Sequence, residues 1–420
     1  MSPNDTNPDI ASAQSSHNGT DMALPAHLSF KCAVTDSKGA RRTMEDAHSI
    51  VVPFGGVRGQ GFFSIFDGHA GKQAADWCGA NFATCLLHML RESPALPIPD
   101  VLNQTFHEVD HQLSQLCDES DGKMHSGCTA VTAFLRLEDA DGKQTFVPPS
   151  FDPLGITQED AGAAKPEDDE GSVASGSSEE SKDGREKEKK GGGNRLKNAL
   201  KAFGEKRSAS PPASPAPAPA TPAEVQQQHE RERAWTPPEG TNVRRVLYCA
   251  NAGDARGVLC RGGRALRLTY DHKGSDRQEA RRVVEAGGFV MSGRVNGVLN
   301  VTRSLGDSSM KEYVVGAPYT TETELTDEDE FLILACDGLW DVVDDQAAVE
   351  LVRAQPNPTA ASEFLLDYAL HNYSTDNITV LVVRFRNPPE SVVAAENKSQ
   401  NRTSTDSTIR TGRGLNGTKQ

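Results

Sequence analysis

The chain has eight cysteines and no Cys-x-x-Cys pair among them. Cys32, Cys78, Cys85, Cys117, Cys128, Cys249, Cys260 and Cys336 mostly sit inside apolar runs. That excludes a zinc-knuckle pattern and a disulfide framework, and fits reduced core thiols of an intracellular protein. No apolar stretch reaches the length of a membrane span, and the opening residues hold no hydrophobic leader core, so neither a transmembrane segment nor secretion is expected. Ser2 stands where a myristoylated chain needs glycine. Positive charge is also scarce: 44 Lys and Arg face 59 Asp and Glu, for a net charge of -15. A nucleic-acid partner is therefore not expected, whereas surplus acid suits sites for hard divalent cations. Apolar residues make up only 36% of the 420, low for a chain folded throughout, so part of it is expected to be disordered.

The shortage is local. Residues 1–27 are rich in Ser, Asn, Asp and Pro, and residues 387–420 are polar; both read as disordered tails. Residues 150–238 are dominated by Glu, Lys, Ser, Gly, Pro and Ala, a composition that cannot bury enough apolar area to offset chain entropy. This stretch reads as an insertion within one domain spanning 28–386, because the strands flanking it, Ala130 to Leu137 and Val243 to Ala250, are of the same short buried type. Closing a long loop costs only logarithmically more than closing a short one.

Elsewhere, periodicity predicts strands at Phe30–Val34, Ser49–Pro53, Phe62–Phe66, Val258–Cys260, Val298–Val301, Phe331–Cys336 and Ile378–Phe385. Helices are predicted at Gly71–Arg91, Pro99–Cys117, Ser275–Ala286, Gln346–Arg353 and Thr359–His371. Ser275 and Gln278 read as the capping box of the third helix, and Gly287 as its stop. Strands in runs with helices between them predict an α+β fold of two antiparallel sheets, a β-sandwich flanked by helices on both sides.

One pattern recurs. An apolar strand runs into, or starts from, an acid with a turn partner: Ile65-Phe66-Asp67-Gly68, Leu334-Ala335-Cys336-Asp337-Gly338 and Asp376-Asn377-Ile378-Thr379. Glu45-Asp46 precedes a further strand, and Asp254 follows the turn after another. Carboxylates gathered at strand ends would repel one another strongly. Mg²⁺ or Mn²⁺, bound through oxygen, would resolve that repulsion, and a pair of such ions can activate water for attack on phosphorus.

Seven segments in order resemble the motif series of type-2C protein serine/threonine phosphatases, the metal-dependent PPM class. They are Arg41-x-x-Met44-Glu45-Asp46, Phe66-Asp67-Gly68-His69-Ala70-Gly71, Ser126-Gly127-Cys128-Thr129-Ala130, Asn251-Ala252-Gly253-Asp254-Ala255-Arg256, Arg303-Ser304-Leu305-Gly306-Asp307, Cys336-Asp337-Gly338-Leu339-Trp340-Asp341 and Asp376-Asn377-Ile378-Thr379. The resemblance implies a binuclear Mn²⁺ or Mg²⁺ site at one end of the sandwich. Asp67 would bridge the ions; Asp337 and Asp376 would complete one, Glu45 and the Gly68 carbonyl the other. Asp46 and Asn377 would act one layer out, Asp46 on water beside the ions. Asp254 would share a weaker third ion with Asp337, although an acid in Ala-Gly-Asp also serves as a plain turn residue. Arg41 would clamp the substrate phosphate with its planar fork. His69 would protonate the leaving serine or threonine oxygen, against the plainer reading of a structural histidine. The stretch Gly293 to Asp345 looks most like fungal members that restrain stress-activated MAP kinase cascades. That implies phosphoprotein substrates, MAP kinases or their activators among them, and a monomer in cytoplasm and nucleus.

Departures from the family pattern are Ala40 for the usual Trp, Cys128 for Ser, and Gly274 for the Pro of Asp-His-Lys-Pro. None of the three is a proposed ligand. Within the insertion, Arg195 to Phe203 places Leu196, Leu200 and Phe203 on one helical face opposite basic residues. Arg207-Ser208-Ala209-Ser210-Pro211-Pro212 would suit a phosphoserine-reading partner once Ser210 is modified. The rival readings are a catalytically silent scaffold and a phosphatase of small molecules.

Overall fold

In the run Phe62–Phe66, Phe62 and Phe66 face one apolar cluster while Phe63 and Ile65 face another. A strand buried on both sides needs no polar alternation, which is why the run reads as continuously apolar. The computed structural model describes residues 24–120, 125–148, 151, 234–238 and 240–395. All of these fall in one of two compact units, Met1–Ile156 with Glu230–Gln420. The other unit, Thr157–His229, lies outside the described residues, as do the Arg195–Phe203 and Ser210 segments and most of both tails.

The chain begins with β1 (Lys31–Ser37), β2 (Ala47–Val51) and β3 (Gly61–His69), followed by α1 (Gln73–Glu92) and α2 (Ile98–Glu119). Next come β4 (Gly127–Glu138), β5 (Arg244–Ala252), β6 (Arg256–Arg261) and β7 (Arg264–Arg267). α3 (Arg277–Glu285) leads to the short strands β8 (Val290–Met291), β9 (Arg294–Val295) and β10 (Leu305–Gly306). The last elements are β11 (Tyr319–Glu324), β12 (Asp329–Ala335), α4 (Asp337–Trp340), α5 (Asp345–Val352), α6 (Pro358–His371) and β13 (Ile378–Arg384).

Among the described residues two large antiparallel sheets result, and β8 and β9 pair separately as a two-stranded hairpin. One large sheet has the order β1-β13-β12-β6-β7, the other β11-β5-β4-β3-β2, with β10 added against β4. Between them lies a core that includes Phe63, Ile65, Val131, Leu135, Leu259, Leu332, Leu334 and Leu381. Alternate residues of the same strands face outward and are covered by helices. Phe62, Phe66 and Phe134 meet Phe82 of α1 and Phe106 of α2. Phe331, Ile333 and Val380 meet Val349 of α5 and Leu365 of α6. The α+β sandwich with helices on both sides is thus the fold. Strands β4 and β5 pair from Ala130↔Ala252 to Glu138↔Arg244, so the long insertion leaves and rejoins the domain at one hairpin.

Three local expectations are corrected. Val298–Val301 forms no strand: Leu299 and Val301 make only isolated bridges, to Val295 and Lys273. The turn at Gly297, with φ of 74°, immediately before it leaves no partner ladder to extend. The cap of α3 is Asp276, whose carboxylate accepts from the Gln278 and Glu279 N–H groups at 2.8 and 3.1 Å, not Ser275. An ionised acceptor one residue further on suits the positive end of a helix better than a hydroxyl. The edge strands β7 and β11, Arg-Ala-Leu-Arg and Tyr-Thr-Thr-Glu-Thr-Glu, give no strand signal in the sequence because charged and hydroxyl residues outnumber or flank the few apolar ones. Among the described residues no helix is long and apolar enough to cross a membrane.

Candidate active site

Register brings the acidic strand ends together. In one sheet, Asp67 of β3 pairs with Thr129 of β4, and Ala252 of β5 pairs with Ala130, so the turn carrying Asp254 arrives beside Asp67. In the other, Ala335 at the end of β12 pairs with Val380 near the start of β13 and with Arg256 of β6. Asp337, Asp376 and Asp254 therefore leave that sheet from the same end. The two sheets present these ends to a single cleft of about 560 Å³. Asp67, Gly68, His69, Asp254, Asp337, Asp376, Asn377, Glu45 and Arg41 all line it.

Asp67, Asp254 and Asp337 come closest: each offers a carboxylate oxygen, and these oxygens lie within 4.8 Å of one another. The electrostatic consequence is large. Burial, and then the charges of Asp46, Asp337, Asp254 and Asp376, push the Asp67 carboxyl well above its ordinary range. Burial and the Asp254 charge push Asp337 up to about 8. Burial raises Asp254 as well, opposed by Lys273, whose ammonium lies 3.1 Å from it. One lysine cannot balance this many acids. A set of hard oxygen donors, mutually repelling and half withdrawn from water, is the donor chemistry that Mg²⁺ and Mn²⁺ take. The residues present fit such ions.

The loop from Lys38 to Glu45 closes over this end through one side chain. Asn377 donates from Nδ2 to the Lys38 and Thr43 carbonyls, both at 3.0 Å, and its Oδ1 accepts from the Glu45 N–H at 2.9 Å. Glu45 is held by the Thr43 hydroxyl at 3.2 Å and the Gly71 N–H at 3.4 Å. A Cβ at position 68 would collide with the Glu45 carbonyl, so only glycine lets this loop pack against β3. Arg41 meets Asp376 at 2.6 Å and is more than half exposed, leaving its remaining donors to solvent and the cleft. Asp46 does not line the cleft. It lies behind it, accepting from the Thr379 hydroxyl at 2.6 Å, with its Oδ1 buried and unpartnered. Burial, partly offset by that hydroxyl, raises Asp46 to about 6.

Other residues of the site were not anticipated. Thr129, Arg294, Leu299, Asn300 and Val301 also line the cleft. Asp307 contacts His69, with Nε2 and Oδ2 2.7 Å apart. Arg294 sits on a two-residue strand, too short to leave a periodic signal. Asp307 and Lys273 stood inside recognised motifs, but their contacts depend on tertiary register.

The family model for protein phosphatase 2C matches residues 30–140 and 238–378. The chain belongs to the protein phosphatase 2C family. Its match to protein phosphatase 2C homolog 1 of Saccharomyces cerevisiae is 36% identical over 361 residues, covering 86% of this chain and 95% of the yeast protein. Protein phosphatase 2C homolog 1 of Schizosaccharomyces pombe is also 36% identical, over 364 residues, with 75% of that protein covered. Among solved structures, a serine-threonine phosphatase 2C from Toxoplasma gondii shares the fold, with a TM-score of 0.56 at 17% identity over 91% of this chain and 99% of that one. As a type-2C phosphatase the chain is a serine/threonine phosphatase, and its two matched blocks stop on either side of the insertion.

Proposed function

We propose that this phosphatase hydrolyses phosphoserine and phosphothreonine in proteins by direct attack of water on phosphorus, with Mn²⁺ or Mg²⁺ as cofactor. The observation that carries the reading is the convergence of Asp67, Asp254 and Asp337 within one cleft that also holds Arg41 and His69. Asp67, Asp337, Asp376, Glu45 and the Gly68 carbonyl would hold two ions, and Asp254 a weaker third. Bound there, such ions would supply the positive charge that acidifies water and offsets charge on the phosphate oxygens. Arg41, at the rim, offers its fork to two phosphate oxygens and so fixes the phosphorus relative to the acids. Asp46, buried behind the cleft, would act one layer out, on water held beside the ions. His69 gives a proton to the serine or threonine oxygen as its bond to phosphorus breaks.

The likeness of Gly293–Asp345 to fungal regulators supports substrates among stress-activated MAP kinases or their activators. That role, a monomeric state and a place in cytoplasm and nucleus belong to the proposal. Treatment with EDTA should abolish hydrolysis of a phosphothreonine peptide, and added Mn²⁺ should restore it. Asp67→Asn should lower the restored rate by about a hundredfold or more and weaken Mn²⁺ binding in calorimetry. No metal-restored turnover would favour the scaffold reading, and faster hydrolysis of sugar phosphates than of the peptide would favour a small-molecule phosphatase.

A further inference from the structure

Asp307 occupies an unusual position for a loop acid. Its backbone has φ of 48°, in the left-handed region that costs a non-glycine residue about 1 kcal/mol or more. The sheet explains how it gets there. Gly127 of β4 is the register partner of both His69 on β3 and Gly306 on β10. The residue after Gly306 is thereby delivered alongside the His69 ring. A Cβ at Gly127 would occupy the space of the Asp307 carboxylate, so glycine there is what admits it. The Asp307 side chain is 8% exposed and that of His69 26%. Its Oδ2 takes both the His69 Nε2 contact, at 2.7 Å, and the Ser304 hydroxyl, at 2.5 Å. The loop around it is anchored to α2. Asp110 accepts from the Gly306 N–H at 3.0 Å and pairs with Lys311 at 2.8 Å, while Lys311 reaches back to the Ser304 carbonyl at 2.9 Å. His69 faces the cleft; Asp307 does not line it.

We propose that Asp307 is the positioning residue for His69: it engages Nε2 so that Nδ1 is the nitrogen presented to the leaving oxygen. This rests on the reading of His69 as general acid. The ring enters the step protonated on both nitrogens, with Nε2–H donating to Asp307. As the phosphorus–oxygen bond of the substrate breaks, the Nδ1–H bond breaks and its proton joins the serine or threonine oxygen. The ring is left neutral, still fixed through Nε2–H, and regains its Nδ1 proton from solvent. A fixed partner keeps the ring from rotating away, so that its other nitrogen stays aimed at the leaving oxygen. A loop anchor alone would not need its carboxylate against an imidazole, nor a strained backbone to place it there.

The test uses the full chain with Mn²⁺ and two substrates, a phosphothreonine peptide and p-nitrophenyl phosphate, whose leaving oxygen needs no proton. Asp307→Ala and Asp307→Asn should each lower kcat on the peptide by roughly tenfold to a hundredfold, with much smaller losses on p-nitrophenyl phosphate. KM for the peptide should stay within about twofold. In an His69→Ala background, Asp307→Ala should add no further loss, because the two act as one unit. Equal losses on both substrates, additive losses in the double variant, or a wild-type kcat for Asp307→Asn would overturn the proposal. Should Asp307→Ala fail to fold, judged by thermal unfolding, the near-isosteric Asp307→Asn carries the test alone. If His69→Ala itself loses equally on both substrates, it is the acid role of His69 that fails, a result separable from failure at Asp307.

Discussion

At the scale of single residues, the acids at the cleft make the protein's stability depend on pH in an unusual direction. Asp337 ionises near 3.8 in an unfolded chain and near 8 in the folded one, because of burial and the neighbouring Asp254 charge. Between those values the folded chain keeps a proton that the unfolded chain has released. Stability contributed this way is full below about 3.8 and is lost as pH rises toward 8. Other groups, Glu279 and His272 among them, work in the opposite sense. Glu279, where burial is outweighed by Arg303 and Thr302, is held down at about 2, so its contribution is full above its ordinary 4.5 and is lost only as pH falls toward 2. His272, lowered from 6.5 to about 4 by burial, adds stability as pH rises through that interval and nothing above it. The window from about 6.5 to 8 therefore isolates the acidic cluster. With EDTA present, the thermal midpoint should fall across that window, and saturating Mn²⁺ should raise it most at the upper end. Asp337→Asn should flatten the slope. A midpoint in EDTA that holds level or climbs would mean these carboxylates do not share an enclosed site.

At the scale of elements, the loop bearing Arg41 and Glu45 is held by the start of β13. Asn377 is 5% exposed and satisfies three of the loop's backbone groups at once. Asn377→Ala leaves two carbonyls and one N–H without that partner, at a cost of about 1–3 kcal/mol. Chemical denaturation should show this loss, and KM for a phosphopeptide should rise as Arg41 loses its fixed position. An unchanged KM would place the loop's order elsewhere. The same region shows what could be read from the amino acids alone. Strands β3, β12 and β13 were legible because each is apolar on both faces, and their terminal acids stood out against that background. Strands β7 and β11 were not, since an edge strand buries one side and needs no apolar run. Val298–Val301 misled because apolar residues such as Leu299 and Val301 look alike whether they pair with a ladder or line a cleft. The acids of the site announced themselves by type and place in the motifs. The Asp307–His69 contact did not, because it exists only through a shared register partner nearly sixty positions from one and 180 from the other.

At the scale of the whole molecule, the question is how a catalytic domain carries so long an interruption between two central strands. The hairpin of β4 and β5 is fastened near its open end by Glu138. That side chain is fully buried and accepts from Arg136 at 2.7 Å, Arg244 at 3.3 Å and Tyr248 at 2.8 Å. Beyond it the returning chain docks again: Trp235 exchanges backbone hydrogen bonds with Gly56 and Arg58 at 2.8 and 2.9 Å, and stacks on Phe146 at 5.6 Å. Trp235 falls inside the 150–238 stretch read from composition as insertion, yet it is tied to the domain, because a lone aromatic barely alters the average of a polar window. A deletion should therefore remove Thr157–His229 and spare 230–238. Shortening the loop by roughly two-thirds relieves about 1 kcal/mol of closure entropy, so the truncated chain should melt at or slightly above the full-length midpoint. Its metal-dependent hydrolysis of p-nitrophenyl phosphate should stay within about twofold of the full chain, since no described residue of the cleft is touched. Extending the cut through Trp235 removes the stacked pair and both backbone bonds, and should lower the midpoint. If instead the shorter deletion is already insoluble or inactive, the segment is part of the fold and the hairpin cannot close without it.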